Sequence, residues 1–121
     1  MTQSELPKLT EEQVAVLTRY ARLDVGLDEV RRVLSDVFEF SLEPETRSAS
    51  MRFRVPEPGI PIVRTHISNA LEQKRLGLVS EKDLAYWATF ILLNEAYELD
   101  PADEDFIADW LNDMSYNLDP N

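Results

Sequence analysis

The chain has 121 residues, 44% hydrophobic and 29% charged, with no cysteine and a formal net charge of −11. That length suits a single domain, which can bury roughly two-thirds of its unfolded surface without a metal or disulfide staple. The lack of cysteine excludes disulfides, thiolate metal sites and cysteine nucleophiles together.

The acids are unevenly spread. Residues 1–80 hold 12 acids and 11 bases, whereas residues 81–121 hold 11 acids and Lys82 as the only base. Such a surface repels phosphate backbones, so nucleic acid is not an expected partner, and it attracts basic proteins at low salt. Residues Met1 to Lys8 lack the basic start and apolar run of a signal peptide. The densest apolar run, Leu84–Leu93, is short of the about 20 residues a membrane span needs. The expectation is a soluble, cytoplasmic protein.

Taken in order, the first element opens with Thr10 as N-cap and Gln13 as its capping-box partner. Leu9 and Val14 fall at the two positions of a hydrophobic staple, and Glu11 and Glu12 suit the positive end of the helix dipole. Val16, Leu17, Tyr20 and Leu23 give the apolar face of a helix over 11–23. Gly26 reads as a break. Leu27, Val30, Val33, Leu34 and Val37 then recur at helical spacing, predicting a second helix over 27–39 packed antiparallel on the first.

Residues 38–55 allow two readings. Phe38, Phe40 and Leu42 alternate, as do Met51, Phe53 and Val55, with Pro44 to Ser50 between them as a loop. That is the pattern of a small hairpin with one wet face, and the competing reading is an irregular arm. Pro56, Pro58, Gly59 and Pro61 predict an extended connector without regular structure.

Three helices follow. Val63, Ile67, Ala70 and Leu71 share a face over 63–76, ended by Gly77 in a left-handed position. Ser80 and Asp83 start a helix over 81–94, whose run Leu84–Leu93 is apolar or aromatic at nine of ten positions. Asp100 and Pro101 start a helix over 101–116 with Phe106, Ile107, Trp110, Leu111 and Met114 on its apolar face. The domain organisation is one domain over 1–121: a helical pair at 10–39, a hairpin or arm at 40–62, helices over 63–116 and a frayed tail at 117–121. The fold class is mainly α, a compact bundle of about five helices, to which the hairpin reading of 38–55 would add a small β element.

The segments Arg64-Thr65-His66-Ile67, Ala70-Leu71, Gly77-Leu78-Val79-Ser80, Asp83-Leu84 and Trp87-Ala88, with the acidic Asp105 to Asp109, resemble a pattern in small uncharacterised bacterial helical proteins. The resemblance spans about residues 60–115 and rests on capping and packing residues. In size, acidity and fold class the chain is also loosely similar to the immunity proteins that accompany bacterial toxins. That likeness implies a non-enzymatic binding module and brings no catalytic residues with it.

His66 is the only histidine, and no second histidine or cysteine stands at metal-ligand spacing; it reads as structural or exposed, with catalysis alongside carboxylates as the least favoured reading. Three scattered glycines exclude a glycine-rich phosphate loop. Glu98, Asp100, Asp103, Glu104 and Asp105 invite a calcium reading but lack the glycine and closing glutamate of a calcium loop. No cofactor and no metal is expected. The candidate partner-binding residues are Asp105, Asp109 and Asp113, spaced four apart with no base placed to relieve them. Two readings of that flank compete: a solvated face, and a docking face for a basic protein. The helix over 81–94 has apolar groups on every side, so either neighbours pack all round it or a second copy of the chain covers one side, making a homodimer.

Overall fold

A computed structural model describes residues 6–116. In order come α1 (Glu11–Ala21), α2 (Leu27–Leu34), β1 (Phe38–Ser41), β2 (Ser48–Met51), β3 (Ile60–Ile62), α3 (Arg64–Arg75), α4 (Glu81–Leu93) and β4 (Tyr97–Leu99). A 3-10 turn at Pro101–Asp103 then leads into α5 (Glu104–Ser115). The five helices are accompanied by two small sheets, β1–β2 and β3–β4, so the fold is helix-rich but mixed rather than a pure bundle. The expected frayed tail, 117–121, lies outside the described residues.

The helix starts follow local chemistry. The Gln13 N–H donates to Thr10 Oγ1 at 3.1 Å and the Thr10 N–H to Gln13 Oε1 at 2.9 Å, closing the expected capping box. Ser80 and Asp83 do the same for α4 at 3.0 and 3.1 Å. The end of α3 has the Gly77 N–H on Lys74 O and the Leu78 N–H on Gln73 O, with Gly77 at φ 77°. This is the left-handed stop that glycine favours.

Two helix ends differ from the sequence reading. α1 stops at Ala21, and Leu23 takes the left-handed position at φ 59°, with the Leu23 N–H on Tyr20 O and the Asp24 N–H on Arg19 O. Gly26 is therefore not the break; it is the extended N-cap of α2. α2 stops at Leu34 because the Val37 carbonyl takes the Arg52 N–H and the chain turns into the hairpin.

The hairpin reading holds, with a shifted second strand. Phe38 faces Met51 and Ser41 faces Ser48, so β2 begins in what read as loop, and Phe53 lies beyond it as a buried core residue. A lone hairpin is marginal in water. This one is anchored by Phe38 and Phe40, whose rings lie 5.6 and 5.0 Å from that of Phe90 on α4.

The extended connector contains a strand that sequence reasoning did not anticipate. β3 pairs in parallel with β4, Ile60 against Tyr97 and Ile62 against Leu99. The ladder is joined by the Ile60 N–H on Ala96 O and the Asp100 N–H on Ile62 O. Alternation along the strand turns the missing N–H of Pro61 away from β4, where it costs no ladder bond.

All of this is arranged around α4. Leu84, Ala85, Trp87, Ala88, Thr89, Phe90 and Ile91 are buried, and α1, α3 and α5 each pack against the helix. Phe90 meets Tyr20 edge-on at 5.1 Å and Tyr97 at 6.1 Å, centring a cluster of rings from α1, β1, α4 and β4. Trp87 donates its indole N–H to the Tyr20 and Ala21 carbonyls at 3.1 and 3.3 Å. Tyr97 donates its hydroxyl to Leu17 O at 2.7 Å. Buried rings from α4 and β4 thus bond to carbonyls near the end of α1 and tie that helix to the core.

Candidate functional site

The burial of α5 sets the acidic face. Ile107, Leu111 and Met114 point into the core, and Asp105, Asp109 and Asp113 are all exposed. At 100° per residue, Asp109 falls opposite the midpoint between Ile107 and Leu111, in the middle of the outward face. Among the described residues no hydrogen bond or ion pair engages these three carboxylates. The ion pairs lie elsewhere: Arg32–Glu29, Arg52–Glu39, Arg64–Asp103, Lys74–Glu81 and Arg75–Glu72. Adjacent like charges at four-residue spacing on a helix repel by about 0.2–0.5 kcal/mol.

The apolar stripe of α5 is narrower than its sequence suggests. Trp110 is 36% exposed at its edge, beside Asp109. Phe106 is half-buried, with the Arg64 guanidinium 3.8 Å above its ring; the same guanidinium donates to Asp103 Oδ1 at 3.0 Å. Arg64 therefore ties the start of α3 to the start of α5 and leaves the three aspartates untouched.

Three of the five acids that invited a calcium reading have structural work. Glu98 accepts the Gly59 N–H at 3.2 Å, Asp100 caps the 3-10 turn through the Ala102 N–H at 3.1 Å, and Asp103 holds Arg64. Among the described residues no group of three or more His, Asp or Glu side chains is placed to hold a metal ion. Nor is any helix among them long and apolar enough to cross a membrane.

His66 occupies the third position of α3. Its Nδ1 accepts the Val63 N–H at 2.9 Å, so the imidazole acts as half of a capping box at a helix whose N-cap residue, valine, has no polar side chain. That bond needs a lone pair on Nδ1, which leaves the ring proton on Nε2. Burial lowers the pKa of His66, and the Arg22 guanidinium nearby pushes in the same direction. The ring stands between two shallow concavities, one lined by Arg22, Asp24, Thr65 and Asn69 and the other by Thr18, Arg22 and the Pro58–Pro61 segment. No hydrogen bond joins it to a carboxylate among the described residues.

On α4, Leu92, 41% exposed, is the one large apolar side chain left in the open. A further concavity is one the sequence did not signal. Tyr20, the turn over Leu23–Leu27, Leu78, Asp83 and Tyr86 line a cleft of about 370 Å³ between the α1–α2 turn and the start of α4. Its walls are some 60 residues apart in the chain, so no local motif announces it.

Comparison of the chain with protein-family models, curated proteins and solved structures finds no match.

Proposed function

We propose that this protein is a non-enzymatic, acidic protein-binding module, of the immunity or antitoxin kind, that docks a basic partner through the outward face of α5. The observation that carries the reading is the exposure of Asp105, Asp109 and Asp113 with no cation drawn to them, while Arg32, Arg64 and Lys74 are tied into ion pairs elsewhere. Holding three like charges along one helix face works against the helix. A basic partner would turn that repulsion into attraction and would be steered toward the face at low salt.

Self-association through residues 81–94 ranks second, because Leu92, 41% exposed, is the one large apolar group in the open that helix would bring to a second copy. Catalysis by His66 ranks last, because its Nδ1 is already engaged by Val63.

The test is capture of partner proteins on the immobilised chain at low and high salt, with Asp109→Lys alongside. Capture of a basic protein at low salt, weakened by salt and by Asp109→Lys, supports the reading. No basic protein at low salt, or capture indifferent to both changes, sinks it.

A further inference from the structure

The groove between the end of α1 and the start of α3 sets two unspent donors beside an apolar wall. Its volume is about 280 Å³, and Val14, Ala21, Pro58, Ile60 and Pro61 line it together with Arg22 and His66. No acid lines it; Asp24 borders the neighbouring concavity, which Arg22 and His66 also share.

Both walls are held from outside the groove. Asn69 and Gln73 of α3 donate their side-chain amides to Arg22 O at 2.9 and 3.3 Å, and the Arg22 N–H is on Arg19 O. The 58–61 segment is fastened to β4 by the Ile60 N–H on Ala96 O at 2.8 Å and to the Glu98 carboxylate by the Gly59 N–H at 3.2 Å. The groove is therefore preformed, which spares a ligand the cost of ordering it.

His66 supplies one donor. Its Nδ1 takes the Val63 N–H at 2.9 Å, so the ring proton is on Nε2, and that N–H meets no acceptor among the described residues. Arg22 supplies the charge. Its guanidinium makes no hydrogen bond, ion pair or ring stack among the described residues, whereas Arg31, Arg32, Arg52, Arg64 and Arg75 are each engaged. Burial and then the Arg22 charge lower the pKa of His66, so the guanidinium stands within electrostatic reach of the ring. At neutral pH the imidazole is a neutral donor beside a fixed cation.

We propose that this groove binds a small carboxylate with an apolar tail, the carboxylate against the Arg22 guanidinium and the His66 Nε2–H and the tail along Val14, Ala21, Pro58 and Pro61. The guanidinium fork matches two carboxylate oxygens, and the imidazole adds a further donor. Inorganic phosphate would meet the same donors but leave the apolar wall wet. The volume falls below the ~300–1,000 Å³ of drug-sized pockets, so the tail is about one ring or a short alkyl chain. Two sources present this chemistry: a free organic acid, and the C-terminal carboxylate of a peptide ending in an apolar residue. The proposal stands independently of the α5 reading.

The test is an NMR titration of the full chain at neutral pH with benzoate and with N-acetyl-phenylalanine, and with benzamide and inorganic phosphate as controls. Saturable shifts confined to residues 14–22, 58–61 and 63–66, produced by either carboxylate and by neither control, are expected. Tighter binding of benzoate assigns the free acid, and tighter binding of N-acetyl-phenylalanine assigns the peptide terminus. Arg22→Met keeps the backbone carbonyl for Asn69 and Gln73 and weakens binding about tenfold, the scale of one charge-assisted hydrogen bond. His66→Asp keeps an oxygen for the Val63 N–H, as Asp83 does for the Ser80 N–H, and abolishes binding. Arg19→Met, which removes the same charge from an exposed site outside the groove, leaves binding unchanged. No saturable shift with either carboxylate, equal binding of benzamide or phosphate, indifference to Arg22→Met, or an equal loss with Arg19→Met overturns the proposal.

Discussion

Replacing Trp87 with phenylalanine tests how α4 holds α1. Trp87 is 0% exposed, and its indole N–H is shared by the Tyr20 and Ala21 carbonyls at 3.1 and 3.3 Å. Phenylalanine keeps the six-membered ring and deletes the pyrrole edge with its donor. Losing apolar volume equivalent to about two methylenes costs roughly 1.6 kcal/mol. The Tyr20 carbonyl keeps the Leu23 N–H at 2.9 Å, so the Ala21 carbonyl bears most of the lost bond. A buried carbonyl left unpaired costs about 1–3 kcal/mol, which brings the total to about 3 kcal/mol. With a urea slope of about 2 kcal/mol per molar, the unfolding midpoint followed by far-ultraviolet circular dichroism falls by about 1.5 M at unchanged slope. A shift below about 0.3 M would mean that the indole bond and its packing do not hold α1 in place.

His66 gives a pH signature. Its folded pKa lies below the ordinary 6.5, so between those two values the unfolded chain binds more protons than the folded one. The stabilisation is complete above pH 6.5 and is lost as pH falls through the folded value. His66→Gln, which still offers Val63 an oxygen acceptor, flattens that loss in urea midpoints measured between pH 7.5 and 5, whereas an unchanged slope argues against the imidazole cap. At Gly77, φ is 77° with open space around a new Cβ, so Gly77→Ala destabilises by about 1 kcal/mol through backbone strain alone. Gly26 is an extended N-cap with equally open space, so Gly26→Ser stabilises by a few tenths, roughly 0.3 kcal/mol, by adding a capping oxygen. Thermal melts distinguish the two signs.

What was legible in the sequence was local. Thr10 with Gln13 and Ser80 with Asp83 marked helix starts because the interacting groups lie within three residues of one another, whereas Asp100 before Pro101 caps a 3-10 turn and α5 itself begins at Glu104. The end of α1 was misread because a leucine, Leu23, takes the left-handed position where Gly26 looked the better candidate. The β3–β4 pairing escaped because it joins segments more than 30 residues apart, one of them carrying Pro61. The α5 aspartates were readable from helical period alone, since burial of Ile107 and Leu111 dictates the outward face. The His66 cap was not, because neither valine as N-cap nor histidine three residues on belongs to the usual capping pair. The Tyr20 cleft exists only once α1, its turn and α4 are brought together.

The most direct measurement compares two triple variants of equal net charge for capture of a basic partner at low salt. One carries Asp105→Asn, Asp109→Asn and Asp113→Asn; the other carries Glu11→Gln, Glu45→Gln and Glu95→Gln, three exposed acids away from α5. If the α5 face is the docking surface, the first variant loses capture and the second retains it. Equal loss in both would show that overall charge alone attracts the partner, and retention by the first would contradict the docking face outright.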